Sequence, residues 1–107
     1  MDPKTRFEEI VDDLAARDPD VEAAQMMGRP SIKAGGKLIA CLEARGTMAF
    51  KLPDEAEQEK ALALDGARVY EPADNGRRMG GWIEVPSAHV ESWAALAETA
   101  LRLRKNS

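Results

Sequence analysis

The residue types that ordinarily do chemistry are scarce and scattered in this chain. His89 is the only histidine, and no serine or cysteine is placed by the sequence to form a nucleophile–base pair with it. It reads as a surface or helix-start histidine. Cys41 is the only cysteine, which excludes an intramolecular disulfide and any zinc site of several thiolates within the chain. It alternates with Ile39 on an apolar side, so a desolvated, inert core thiol is expected. The carboxylates Asp12-Asp13, Asp18/Asp20 and Glu55/Glu57/Glu59 fall on helix faces or turns that solvent reaches, and i, i+2 spacing on a helix turns side chains apart. Gly35-Gly36 and Gly80-Gly81 open no helix, so they read as turns and not as phosphate cradles. The expectation is a protein without catalytic, cofactor-binding or metal-ligating residues, and not an enzyme.

The basic residues are more informative. Arg29, Lys33, Lys37, Arg45 and Lys51 gather within one stretch, and Arg77-Arg78 lies in a turn-rich loop where it could hold an anion or a nucleic-acid backbone. Which of these share a surface depends on the elements that carry them.

Residues 1–17 read as an amphipathic helix, with Phe7, Ile10, Val11 and Leu14 at i, i+3, i+4, i+7. Asp2 before Pro3 supplies a cap, and Thr5 with Glu8 an alternative capping box. Asp18-Pro19-Asp20 ends it. Short apolar runs broken by Gly28, Pro30, Gly35-Gly36 and Gly46 predict strands near 24–28, 31–34, 37–42 and 47–52, a compact meander over 26–52. A second, acidic helix follows over 54–64 with Gly66 as its stop, then a brief strand at 68–71. The loop 72–81 contains Asp74-Asn75-Gly76, which is turn chemistry. A final strand covers 81–85, and Ser87 caps a last helix to about 104 carrying Val90, Trp93, Ala97, Ala100 and Leu101. Trp82 and Trp93 read as core anchors, and few other aromatics remain to make a base-stacking surface.

A two-residue turn at Gly35-Gly36 puts Ala34 opposite Lys37 and Ile32 opposite Ile39. A turn of two or four residues around 43–46 carries that parity onward. Ile32, Ala34, Ile39, Cys41, Met48, Phe50 and Leu52 then share a core face. Ser31, Lys33, Leu38, Ala40, Leu42, Thr47, Ala49 and Lys51 share a mixed one. The candidate interaction surface is accordingly Arg29, Lys33, Lys37, Leu38, Leu42 and Lys51, with Arg77 and Arg78. A helix lying over this face, with the lysine stems beneath it, is the alternative.

The 107 residues, 44% hydrophobic and 32% charged, suit one globular domain over 1–107. The net charge of −4 disfavours a duplex-DNA binder. Charge is sorted along the chain: −5 over 1–28, +4 over 29–52, −4 over 53–66 and +1 over 67–107. No apolar run approaches the roughly 20 residues of a membrane span, and the acidic, amphipathic start is unlike a leader, so a cytoplasmic protein is expected.

Met26-Met27-Gly28, Ile32-Lys33, Gly35-Gly36-Lys37, Phe50-Lys51-Leu52-Pro53, Arg77-Arg78-Met79 and Trp82-Ile83-Glu84-Val85-Pro86, with Trp93 beyond, stand in an order that resembles the TfoX N-terminal and MmcQ/YjbR-like domains of bacteria. The resemblance covers nearly the whole chain. It implies an α+β fold, an antiparallel sheet packed with N-terminal and C-terminal helices, and a loose association with DNA-uptake regulation or DNA binding without enzymatic activity. The chain departs from the pattern at Met27, where an aromatic residue is expected, and in its acidic helices. The resulting expectation is a regulatory or interaction domain that binds a protein partner or self-associates, possible homodimer included, with DNA binding through the basic meander and the Arg77-Arg78 loop as the alternative.

Overall fold

The computed structural model describes residues 2–73 and 75–107; Asp74, the first residue of the expected turn, lies outside them, as does Met1. Pro3–Arg17 forms α1, capped by the Asp2 carboxylate, which accepts from the Thr5 amide at 3.0 Å. That choice satisfies one of the orphan N–H groups of the first turn and leaves the Thr5–Glu8 box unused. The chain reverses at 18–20 into β1, Val21–Met26, and continues through β2, Arg29–Ala34, β3, Lys37–Leu42, and β4, Met48–Lys51. After α2, Glu55–Leu62, come β5, Arg68–Val69, and β6, Trp82–Val85. The expected last helix is divided. Ser87–Ser92 is a 3-10 turn and α3 runs from Trp93–Lys105. Ser87 makes no capping hydrogen bond, because His89 leaves helical geometry at φ −109° and ψ 28° and its Nε2 donates to the Asp65 carbonyl at 2.7 Å.

All strand pairs are antiparallel, in the order β1-β2-β3-β4-β6-β5. The fold is therefore α+β, with the helices on one face of a six-stranded sheet. Phe7, Ile10 and Leu14 of α1, Ala61 of α2, and Trp93, Ala97 and Ala100 of α3 meet Ile32, Ala40, Met48, Phe50, Ile83 and Val85 in one core. Burying such large apolar side chains contributes roughly 1.5–3 kcal/mol each. Arg104 of α3 donates to the carbonyls of Ala34 and Gly35, locking the β2–β3 hairpin to the last helix.

The hairpin at Gly35-Gly36 has the expected form, with φ of +58° and +81°, and Ala34 does pair with Lys37. The register then slips. A bulge between Ile32 and Lys33 on β2 makes Ile32 face Ala40, with Ile39 as the extra residue on β3, so that Ile39 and Ala40 both point at the helices. The next turn also departs from expectation: Glu43 pairs with Thr47 around a three-residue loop whose Gly46 sits at φ +85°, and Leu42 faces Met48. Two parity changes cancel. Ile32, Ala34, Met48, Phe50 and Leu52 stay in the core as expected, while Cys41 moves to the opposite face and Leu42 and Ala40 take its place.

Candidate functional site

The helix-free face is where the polar chemistry collects. Alternation along β3 places Leu38, Cys41 and then Glu43, just past its end, on it; Thr47 lies just ahead of β4, which contributes Ala49 and Lys51; β6 contributes Trp82 and Glu84. Arg68 of β5 lies directly across from Glu84. Tyr70 follows β5, and its ring meets Trp82 at a centroid distance of 6.0 Å. Cys41, Ala49, Tyr70 and Trp82 form a small second core, joined by Met26, Leu38 and Met79. The backbone bond from Met79 N–H to the Tyr70 carbonyl, 2.8 Å, brings the 72–81 loop back against it.

Around that core runs a chain of alternating charges. Arg29 Nε stands 2.6 Å from Glu43 Oε1 and Arg45 Nη1 3.8 Å from Glu43 Oε2. Arg45 Nε also holds Glu84 Oε2 at 2.6 Å, and Arg68 Nε holds Glu84 Oε1 at 3.1 Å. Glu71 continues the series, 4.0 Å from Arg68 and 3.4 Å from Arg78. The Tyr70 hydroxyl donates to Glu43 and the Thr47 hydroxyl to Glu84. Two arginines also anchor the loop, Arg29 on the Pro72 carbonyl and Arg45 on the Glu71 carbonyl, each at 3.0 Å.

Burial decides how these groups behave. Glu43 and Glu84 are 6% and 2% exposed, which as isolated carboxylates would be very costly. Desolvation pushes the Glu84 pKa up, but the hydrogen bonds from Arg45 and Thr47, with the charges of Arg45 and Arg68, outweigh it and hold the carboxyl below its ordinary value. Burial drives the Tyr70 phenol well above its ordinary range, and its contacts with Cys41 and Glu43 act in the same direction. Burial likewise pushes the Cys41 thiol up to about 11, against the opposing effect of its hydrogen bond to Tyr70, Sγ to hydroxyl 3.4 Å. Thiol and phenol are thus held as neutral donors at neutral pH. Native Cys41 should resist a thiol reagent such as iodoacetamide at pH 8 and react only as fast as the domain unfolds; modification far faster than hydrogen exchange of the core amides would contradict this.

Of the eight residues proposed from sequence, three share one end of the open face, Lys33, Leu38 and Lys51, while Lys37, opposite Ala34 beside the hairpin turn, is directed to the helix side. Lys33, Leu38 and Lys51 are half-buried and Lys37 is exposed. None of the three lysines forms an ion pair among the described residues. Arg29 and Arg78 are on the same side of the sheet but are held by Glu43 and Glu71. Arg77 is exposed in the loop. Leu42 is a correction: the bulge at Ile39 turns it to the helix side, where it is 7% exposed. Among the described residues no helix covers the mixed face; a loop covers part of it.

Sequence reasoning passed over Glu43, Glu71, Glu84, Arg68 and Tyr70. One signal was available for Glu84, a carboxylate in the middle of the apolar strand Trp82-Ile83-Glu84-Val85, which must find a partner if the strand is central. Among the described residues no group of three or more His, Cys, Asp or Glu side chains is placed to hold a metal ion, and no helix is long and apolar enough to cross a membrane.

Fold and site together define an α+β domain with one sheet face under helices and the other carrying a charge-matched polar network beside a small basic patch. Comparison with protein-family models, with curated proteins and with solved structures finds no match to this chain.

Proposed function

We propose that the chain is a non-enzymatic interaction domain of the TfoX N-terminal/YjbR-like type, whose working surface is the Lys33–Leu38–Lys51 end of the helix-free sheet face and whose partner presents an acidic protein surface. The observation that carries this reading is the contrast on that face. Arg29, Arg45, Arg68 and Arg78 have carboxylate partners there, whereas Lys33 and Lys51 beside half-buried Leu38 have none among the described residues. A rigid, charge-matched network beside an unmatched basic, part-apolar patch suits recognition. The exposed acidic residues of α1 and α2, Glu8, Glu9, Asp12, Asp13, Glu55 and Glu59, make a second copy one acceptable partner.

The test is an amide-shift titration with polyglutamate and, separately, with a DNA duplex, alongside light scattering across salt and concentration. Polyglutamate is expected to move the amides near Lys33, Leu38 and Lys51. Lys33→Glu with Lys51→Glu should weaken that binding about tenfold or more, with salt dependence set by a Debye length of about 8 Å under physiological conditions. Shifts absent from this patch would sink the reading. Tight duplex binding with a steep salt slope would move the function to nucleic acid. A monomeric mass under every condition would remove self-association.

A further inference from the structure

On the helix side of the sheet, where the last turn of α3 meets β3 and the segment after β4, a pocket of about 190 Å³ is left between them. Ile39, Pro53, Ala100 and the half-buried Leu103 give it an apolar lining, and Arg104 stands at its side. An apolar cavity of about 150 Å³ takes a benzene ring, so this one admits a single apolar group of that size. Lys51 also borders it, but alternation along β4 sends its side chain to the open face, so the charge of the pocket comes from elsewhere.

Arg104 supplies that charge. Its Nε donates to the Ala34 carbonyl at 3.1 Å, its Nη2 to the Gly35 carbonyl at 3.2 Å and its Nη1 to the Ser107 hydroxyl at 3.4 Å. All three acceptors are neutral, and a guanidinium has five N–H donors, so Nη1 and Nη2 each keep one. Its α3 neighbours are matched: Arg102 lies 3.8 Å from Glu57, and Lys105 2.6 Å from Asp20. Arg104 has no carboxylate partner among the described residues. Lys37, exposed and on the helix side, adds a second positive charge two residues from Ile39, about 7 Å along the strand and within reach of a lysine side chain. Two features could oppose an anion here, and both are occupied. Asp54, next to Pro53, accepts from the Glu57 amide at 3.0 Å as the cap of α2, and the Arg102 and Arg104 carbonyls at the end of α3 accept from the Asn106 and Ser107 amides.

We propose that this pocket binds a small monocarboxylate carrying one apolar group of about the size of a benzene ring. The apolar group fills the space between Ile39, Ala100 and Leu103, and the carboxylate accepts from the N–H groups left on Nη1 and Nη2 of Arg104, with the Lys37 ammonium beside it. Three existing bonds already hold the guanidinium in place, so little further ordering is needed when the acid arrives. A free acid suits the pocket better than a peptide, because Ile39 and Lys51 belong to interior strands and leave no sheet edge to bond a peptide backbone. The site lies on the opposite side of the sheet from the Lys33–Leu38–Lys51 surface and does not depend on that reading.

The probe is phenylpropionate, titrated into the intact chain near neutral pH and followed by the amides of Ile39, Ala100 and Leu103 and by the Arg104 Nε–H resonance. Saturable shifts at these positions are expected. Phenylpropanamide, the neutral isostere, should bind about fivefold more weakly or worse, and propionate, which lacks the ring, about tenfold more weakly or worse. Lys37→Glu should weaken the acid about fivefold, and Leu103→Trp, which fills the pocket, should abolish its binding. The ligand series tests the claim on the unaltered protein should either variant not fold. No saturable shift at millimolar acid, equal binding of the amide, equal binding of propionate, or undiminished affinity in folded Lys37→Glu would each overturn the proposal. Shifts confined to Lys33 and Leu38 would overturn it too, by drawing the acid to the open face, and would leave the reading of that face standing. So would a capped Glu-Phe-Glu peptide that binds the pocket more tightly than the free acid, since the pocket would then belong to a protein partner.

Discussion

Glu43→Ala is expected to destabilise the domain by about 3–5 kcal/mol, the range for removing one member of a buried ion pair and leaving its partner behind. For a chain of this size that is roughly 12–20 °C in melting temperature. Three groups lose their acceptor at once. Arg29 has its Nε 2.6 Å from this carboxylate and a side chain only 21% exposed, so water replaces the lost contact poorly. The Tyr70 hydroxyl, fully buried, donates to the same oxygen. Arg45 is shared between Glu43 and Glu84. Tyr70→Phe removes a donor without stranding a charge and should cost only about 1 kcal/mol. Denaturant unfolding of both variants and of the double variant is the measurement, and the double should fall short of the sum because the two changes delete one hydrogen bond between them. A loss below 1 kcal/mol for Glu43→Ala would show that Arg29 and Tyr70 find solvent or backbone partners unaided.

That network explains what could and could not be read from the sequence. Elements were legible where periodicity and caps agree: α1 with its Asp2 cap, the hairpin at Gly35-Gly36, the acidic second helix and the Trp82–Val85 strand all have local signals. The core face was legible at both ends of the meander and wrong in β3, because a bulge at Ile39 and an odd-numbered turn before Thr47 each reverse the alternation. Neither leaves a mark in hydrophobicity, since Ile39, Ala40, Cys41 and Leu42 are all apolar and any of them suits a core. Cys41 and Leu42 changed places for this reason alone. The polar cluster was hidden for a different cause. Its members come from three strands and the two connections at 43–47 and 70–81, and only the sheet order, with β6 inserted between β4 and β5, brings Glu84 beside both Arg45 and Arg68.

The same arrangement limits what the arginines can do for a ligand. A guanidinium already fixed on a carboxylate and a carbonyl, as Arg29 is on Glu43 and Pro72, presents little unmet hydrogen-bonding capacity, so its positive charge is spent within the fold. Lys33, Lys37 and Lys51 keep theirs. The basic stretch of residues 29–52 therefore divides by residue type: the arginines organise the sheet and the lysines meet solvent, in keeping with the planar, multidentate geometry of one and the compact ammonium of the other.

Glu84→Gln is expected to cost about 2 kcal/mol at pH 7, near the value for hydrogen bonds to a charged group, and to flatten the acid limb of the stability curve. The partners set the size. Arg45 and Arg68 are 32% and 44% exposed, so solvent screens part of what the 3% exposed carboxylate loses. The sign follows from the depressed pKa. A carboxyl held below its ordinary value of 4.5 in the folded state contributes its full stabilisation above that value, and the contribution disappears as pH falls through the folded-state constant. Wild type and variant should therefore differ most near neutrality and converge on acidification below 4.5, a comparison that denaturant unfolding at several pH values makes directly. Because Arg45 also faces Glu43, the double variant with Glu43→Ala should be less destabilised than the two single losses added together. A gap of constant size from pH 3 to pH 7 would mean that the glutamine disturbs packing against Thr47 and Arg68, and that the charge on Glu84 contributes nothing.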